Sequence, residues 1–382
     1  MQSAKMYEGD CREVLPTLPE NWADSLICDP PYEIGMTNAK WDKTGVAFEV
    51  AMWEKTYRIL KPGAYLLAFG AARTYHRLAT AIEDAGFEIV DQIFWLHAQG
   101  YPKSKNLKDE HEGKGTALKP SHEPIVVARK PFPGTHQQNV EKWGTSCFNI
   151  DDCRIPFESQ QDIEGATWGR GTDILGGNYI GGTHGTGETN IEANPLGRWP
   201  ANTIHDGSPE VMAAFAEFGS RKSGKPTGMK NGTSGNIYGA FNEVIPVTGF
   251  GDEGSIARFY YCAKATIEDR EEGLRRFALK EAGIKNASGR GFSERDPYKK
   301  TMRRNDHPTV KPTALMRYLC RLVTPAGGMI VDNFAGSGST GKAAVLEGFS
   351  FTGIEMRHPS FLLAEARIKH AISLHKPQTK LF

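Results

Sequence analysis

An open, doubly wound α/β sheet assembled from both ends of the chain is the fold this sequence predicts, and three observations carry it. The run Asp24-Ser25-Leu26-Ile27-Cys28 leads into Asp29-Pro30-Pro31-Tyr32. The run Met329-Ile330-Val331 leads into Asp332-Asn333-Phe334-Ala335-Gly336-Ser337-Gly338-Ser339-Thr340. Each reads as the carboxyl end of a buried strand, where open α/β sheets place their ligands. Third, only two strands are legible after Thr324, too few for a sheet. The N-terminal strands must therefore complete it, and the middle of the chain is expected as an inserted lobe.

From Tyr7 to about Lys130 strand and helix patterns alternate. Val46, Val50, Trp53, Tyr57 and Leu60 recur at helical spacing, and Lys61-Pro62-Gly63 is expected to stop that helix. Ala64 to Phe69 reads as a short buried strand. Leu78, Ile82 and Ala85 mark the next helix, closed by Gly86 where a left-handed cap is wanted. Phe87 to Leu96 and Pro124 to Ala128 read as two more strands, separated by the polar stretch Gln99 to Ser121, long enough for a functional loop. Residues 165–254 then hold 20 of the chain's 42 glycines. Pro209 to Phe218 is the one amphipathic helix legible there, so this segment is read as either flexible or made of loops shaped around a partner, and not as a second α/β layer. From Thr313 the α/β pattern resumes: a helix with Leu315, Leu319 and Leu322 on one face, the strand to Asp332, and a glycine loop. A helix ending at Gly348, the Phe351–Glu355 strand and a last helix from Ser360 to Leu374 follow.

Composition narrows the class. The chain has 382 residues, 39% hydrophobic and 24% charged, with formal net charge +1. These are the values of a soluble globular protein of two or three domains. No apolar signal region opens the sequence and no apolar run approaches the ~18 residues of a membrane span, so no membrane association and a cytoplasmic location are expected. The six cysteines form no CxxC pair. They read as reduced thiols, and no metal site is expected.

Gly336, Gly338 and Gly341 satisfy G-x-G-x-x-G between a strand and a helix, and Glu355 lies 19 residues beyond Gly336. Glycines allow a tight turn and close approach to a ligand, while an acid ending the next strand can bind both hydroxyls of a ribose. A nicotinamide enzyme needs further βα units after this fingerprint, yet only about 40 residues remain. Nor does such an enzyme need Asp29-Pro30-Pro31-Tyr32.

The pairing of Asp-Pro-Pro-Tyr with a late glycine loop resembles the amino-methyltransferases of DNA, in the circularly permuted β arrangement of that family. The resemblance implies a Rossmann-like methyltransferase fold, S-adenosylmethionine as cofactor, and double-stranded DNA as partner. It assigns catalysis to Asp29, Pro30, Pro31 and Tyr32. An exocyclic amine is a poor nucleophile because its lone pair is delocalised into the ring. A carboxylate at Asp29 and the carbonyl of Pro30 would draw on its hydrogens and localise that pair, while Tyr32 stacks on an extruded base. Methyl transfer is then a direct in-line attack without a covalent enzyme intermediate.

Tyr7-Glu8-Gly9-Asp10-Cys11 resembles the family segment whose acid contacts the cofactor adenine; a cap on the helix starting near Arg12 is the equally compatible structural role of Asp10. His307-Pro308-Thr309-Val310-Lys311-Pro312 resembles the segment against the cofactor's amino-acid moiety, with Thr309 and Lys311 on its carboxylate. The cofactor set implied is thus Asp10, Cys11, Asp29, His307, Thr309, Lys311, Asp332, Asn333, Phe334, Ala335, Gly336, Gly338 and Glu355. Asn333 departs from the family, which usually has proline there.

Asp at the first tetrapeptide position points to a DNA amine, and Asp-Pro-Pro-Tyr is more typical of adenine-N6 than of cytosine-N4 enzymes. The absence of a Pro-Cys dipeptide disfavours methylation at cytosine carbon-5. Cytosine N4 is the alternative target, and a degenerate methylase acting as a DNA-binding regulator the alternative class. Phe94-Trp95, Tyr101-Pro102-Lys103-Ser104, Ala117-Leu118-Lys119-Pro120 and His122-Glu123-Pro124 look like phage and prophage methylases, many without a restriction partner; a restriction partner and a homodimer stay open here.

Residues 275–304 carry ten Lys and Arg against three acids. In a near-neutral chain this concentration is read as phosphate-contacting, with Arg290, Arg295, Lys299, Lys300, Arg303 and Arg304 as DNA-binding residues. Base reading is expected in the inserted lobe, from Arg198-Trp199-Pro200-Ala201-Asn202 and Gly235-Asn236-Ile237-Tyr238. The expected division is a catalytic half at 1–130, a target-recognition region at 131–305, and a cofactor-binding half at 306–382.

Overall fold

The computed structural model describes residues 3–35, 40–98, 104–160, 162–163, 168–170, 189–191, 193–219, 221–222, 253–263, 266–282, 301–307 and 310–374. They fall into two compact units. One comprises Met1–Cys153, Asn202–Ser208 and Cys262–Phe382; the other comprises Arg154–Ala201 and Pro209–Tyr261.

The first unit is built on a nine-stranded sheet. In chain order its strands are β1 (Ala4–Glu8), β2 (Ala23–Cys28), β3 (Leu60–Phe69), β4 (Glu88–Leu96), β5 (His122–Arg129), β6 (Thr203–His205), β7 (Tyr261–Cys262), β8 (Met329–Asp332) and β9 (Ser350–Glu355). In space they run β1-β9-β8-β2-β3-β5-β4-β6-β7. The first five are parallel. Strand β5 is antiparallel to both neighbours, and β6 runs parallel to β4. The two C-terminal strands thus sit between β1 and β2, as the sequence requires of a chain with too few late strands.

The helices follow the apolar pattern. Helix α1 (Cys11–Val14) is capped by Asp10, α2 (Val50–Ile59) buries Trp53, and α3 (Tyr75–Asp84) buries Leu78 and Ile82. A capping box of Thr135 and Gln138 starts α4 (His136–Trp143), and Gly144 ends it with φ +77°. The segment beyond α4 packs on the sheet: Phe148 stacks on Tyr65 with centroids 4.4 Å apart, and Asn149 Nδ2 donates to the carbonyls of Arg321 and Thr324.

Helix α2 does stop before Lys61-Pro62-Gly63, but β3 already begins at Leu60 rather than Ala64. The register against β2 jumps from Ala23↔Leu60 to Ser25↔Tyr65, so the Pro-Gly turn is absorbed as a bulge inside the strand. Lys130 holds that bulge, donating from Nζ to Asn21 and to the carbonyls of Tyr57 and Leu60.

In the second unit, α5 (Pro209–Ala216) forms as expected, and the first unit resumes with α6 (Ile267–Glu271). Most of the Gly-rich stretch lies outside the described residues, including Gly235 to Tyr238. The Arg198 guanidinium is 9% exposed and bidentate on Asp162, which Arg258 also contacts at 3.2 Å. Phe157 and Phe259 flank Arg198 at 4.7 and 4.9 Å. Arg198 is therefore a buried brace of this unit rather than a base-reading side chain: Nη1 and Nη2 are both held by Asp162. Trp199, beside it, is 66% exposed.

Candidate active site

At the carboxyl ends of four adjacent parallel strands stand four acids. Reading across the sheet, Asp10 follows β1, Glu355 ends β9, Asp332 ends β8 and Asp29 follows β2. Helical crossovers leave β8 toward β9 and β2 toward β3, in opposite directions. The crevice between β8 and β2 is consequently the topological switch point, where such sheets bind ligands. One pocket there is lined by Asp10, Cys11, Asp29, Pro30, Pro31, Tyr32, Val46, His307, Lys311, Asp332, Asn333, Phe334, Ala335, Gly336, Ile354, Glu355 and Met356.

The glycine loop departs from β8 and enters α8 (Ser339–Leu346). Gly336 and Gly338 have φ of +53° and +79°, the left-handed region that side chains disfavour. The three glycines serve different neighbours. A Cβ on Gly336 would lie 3.1 Å from His307 Nε2, one on Gly338 would lie 2.8 Å from the Ala364 backbone, and one on Gly341 would strike Ile368 and Phe351 at 2.5 Å. Two of the three are thus needed for packing α8 against α9 (His358–Leu374) and β9, and only Gly336 borders the pocket.

Glu355 ties the loop to its strand, accepting from the backbone N–H groups of Gly336 (2.9 Å) and Arg357 (2.7 Å). Asp332 accepts from the Phe334 N–H at 2.9 Å. Burial pushes the Asp332 carboxyl up to about 7, against the pull of its hydrogen bonds from Thr340 and Phe334. Burial likewise raises Glu355. Asp10 caps α1 through the Arg12 N–H and pairs with the Arg12 guanidinium, which holds its carboxyl below the usual range. Cys11 is buried beneath it, its thiol pushed up to about 12 by desolvation. His307 is held near 3 by burial and surrounding cations, so its ring is neutral, and its Nδ1 makes no hydrogen bond. Asn333 is buried with Nδ2 3.3 Å from Met52 Sδ and Oδ1 unpartnered.

Asp29 faces Lys311, the residue that precedes Pro312 and α7 (Thr313–Val323). Lys311 Nζ lies 2.6 Å from Asp29 Oδ2, 3.3 Å from Glu123 Oε2 and 3.3 Å from the Tyr32 hydroxyl, which itself donates to Glu123 Oε2 at 2.7 Å. The ammonium expected on a cofactor carboxylate thus has its donors on Asp29, Glu123 and Tyr32. Asp29 Oδ1 is buried and makes no hydrogen bond. Desolvation raises the Asp29 carboxyl and Glu123 adds to the shift, while Lys311 opposes it. The Thr74 hydroxyl anchors the tetrapeptide on the Tyr32 carbonyl.

The pocket therefore offers an acid beside a glycine loop for a diol, apolar walls (Val46, Phe334, Ile354, Met356) for a flat ring, and the buried carboxyl of Asp332 for a cationic centre. Among the described residues no cluster suits a metal ion.

Arg303 and Arg304 do not line this pocket. Thr309, Arg290, Arg295, Lys299 and Lys300 lie outside the described residues. Arg303 ends an antiparallel pair of Thr301–Arg303 with Lys280–Ala282. Arg304 pairs with Glu271 at 3.6 Å. Two residues escaped the sequence reading. Glu123, quoted above only within His122-Glu123-Pro124 and given no role there, is an acid directly before the buried apolar run Pro124–Ala128 of β5, an irregularity that could have flagged it. Arg367 falls on the apolar face of α9 with Leu363, Ala364, Ile368 and Ala371, fully buried, and donates to the Ser337 carbonyl behind the glycine loop.

Residues 23–365 match a family model for N6/N4 methyltransferases, described as DNA methylase. The chain is 32% identical over 95 residues to a protein of Escherichia coli (strain K12) named as a methylase, YubD, covering 24% of this chain and 41% of that one. It is 26% identical over 164 residues to the type II methyltransferase M.HpaI of Haemophilus parainfluenzae, covering 40% and 45%. The chain thus aligns with less than half the length of either curated relative. Among solved structures, the cytosine-N4-specific PvuII DNA methyltransferase matches with TM-score 0.45 and 12% identity over 96% of this chain and 86% of that one.

Proposed function

The chain belongs to the N6/N4 DNA methylase family, and from that premise we propose that it transfers a methyl group from S-adenosylmethionine to adenine N6 in double-stranded DNA. The single observation that carries this reading is the unpartnered Asp29 Oδ1 in the pocket bordered by the glycine loop and Glu355.

S-adenosylmethionine supplies an electrophilic methyl on a sulfonium. Glu355, Asp10 and the Gly336 backbone are the residues suited to its ribose and adenine, and the carboxyl of Asp332 to its positive charge. Asp29 Oδ1 accepts a hydrogen of the target amine and the Pro30 carbonyl a second, so the nitrogen lone pair localises for attack. Tyr32 presents its ring to the extruded base. Positioning and electrostatics supply the acceleration, and no side chain forms a covalent bond.

The basic stretch 275–304 is the proposed phosphate-contacting segment. Incubating the protein with duplex DNA and methyl-labelled S-adenosylmethionine tests the activity. Label on DNA supports an enzyme; none over a range of sequences, with DNA still bound, supports a DNA-binding regulator.

A further inference from the structure

We propose that Lys311 and Glu123 are positioning residues that fix which oxygen of Asp29 meets the target amine. The inference rests on the amine-methylating reading of the site. Three elements far apart in sequence converge: the loop after β2, β5, and the residue leading into α7. Lys311 Nζ holds Asp29 Oδ2 at 2.6 Å, and Glu123 Oε2 holds both Lys311 (3.3 Å) and the Tyr32 hydroxyl (2.7 Å). Lys311 is 4% exposed, so its ammonium has exchanged water for these partners. A buried charge of this kind is retained only where it is paired and hydrogen-bonded.

The consequence is geometric. With Oδ2 occupied, the carboxylate cannot rotate freely, and Oδ1 is the oxygen left without a partner. An aspartate with both oxygens free would be able to take the amine in two poses or draw the cofactor's cation instead. Lys311 therefore selects one pose, and Glu123 offsets the positive charge Lys311 brings. Without Glu123 that charge would fall wholly on Asp29 and weaken it as an acceptor. Without Lys311, two partly buried carboxylates would be left close together with no cation between them, and the Asp29 carboxyl would be harder to ionise.

The groups facing Asp29 are Lys311, Glu123, Tyr32, Asp332 and the Cys28 thiol. Behind Glu123 stands His97, with Nε2 3.8 Å from Oε1 and its imidazole held below the ordinary value by burial.

Opposite pH shifts are the signature. Steady-state kcat against pH is measured for the wild type, Lys311→Met, Lys311→Arg and Glu123→Gln, with S-adenosylmethionine affinity measured by calorimetry without DNA. Lys311→Met is expected to lower kcat at least a hundredfold and move the acid limb to higher pH. Glu123→Gln should move that limb to lower pH, and Lys311→Arg should restore part of kcat. Cofactor affinity should stay within about threefold throughout. A Lys311→Met protein that loses cofactor affinity with its acid limb unmoved would show instead that Lys311 holds the cofactor's carboxylate. Limbs that do not move, or move the same way in both variants, would also overturn the proposal. Should Lys311→Met not fold, Glu123→Gln and Lys311→Arg carry the test. A wild type that places no methyl on DNA would refute the underlying reading, a result separable from all of these.

Discussion

Lys311 and Asp29, 282 positions apart, form an ion pair of 2.6 Å that joins the two ends of the chain in one site. One partner closes a strand of the N-terminal segment and the other opens the C-terminal segment. The pair is meaningful only because β8 lies against β2.

Replacing Asp29 separates chemistry from binding. Asp29→Ala should lower methyl transfer by two to three orders of magnitude, about 3–4 kcal/mol, the usual consequence of removing a positioned electrostatic partner. Cofactor affinity should fall little, since Glu355, Asp10 and the glycine loop stay in place. Single-turnover transfer with calorimetric cofactor titration checks both; near-normal transfer would refute the assigned role.

Asp332 should make the cofactor-free protein less stable as pH rises. Its folded-state pKa of about 7 exceeds the ordinary 3.8, so the folded state binds more protons. Its contribution is most favourable below pH 3.8 and is lost as pH rises through about 7. Asp332→Asn keeps an acceptor for the Phe334 N–H without the charge. Its melting temperature relative to wild type should therefore be higher at pH 8 than at pH 5. An equal difference at both pH values would mean Asp332 carries no such penalty.

Gly338→Val should fail for a reason of packing. The added Cβ would meet the Ala364 backbone at 2.8 Å from a φ of +79°. Loss of thermal stability should accompany loss of cofactor binding, whereas a stable protein with only weakened cofactor affinity would place the conflict at the ligand instead.

In the second unit, Arg198→Ala leaves Asp162 buried with Arg258 as its remaining guanidinium partner. A destabilisation of about 3 kcal/mol is expected for breaking such a pair, read as faster proteolytic cleavage within that unit. Cleavage at the wild-type rate would contradict the brace.

For the basic stretch, Lys299→Ala/Lys300→Ala should weaken cognate and random duplexes alike. It should also flatten the slope of log affinity against log salt by about 0.9 per lost contact. An unchanged slope would remove these lysines from the interface.

The sheet was legible because its strands end in chemistry: apolar runs closing on Asp29, Asp332 and Glu355 read as strand ends, and the shortage of late strands required both chain ends in one sheet. Less legible was what depends on distant partners. Lys311 looked available to a cofactor because nothing local announces Asp29 and Glu123 as its neighbours. Arg198 looked like a DNA-reading side chain because its acid, Asp162, lies 36 residues earlier. The turn at Lys61-Pro62-Gly63 reads as a helix stop ahead of a strand from Ala64, yet tertiary hydrogen bonds from Lys130 hold it within β3.

The most direct test of the central claim is the identity of the methylated nucleoside. DNA modified by the purified protein is digested to nucleosides and analysed by mass spectrometry. N6-methyladenine as the product, absent from the Asp29→Ala reaction, is the predicted result; N4-methylcytosine without N6-methyladenine would contradict it.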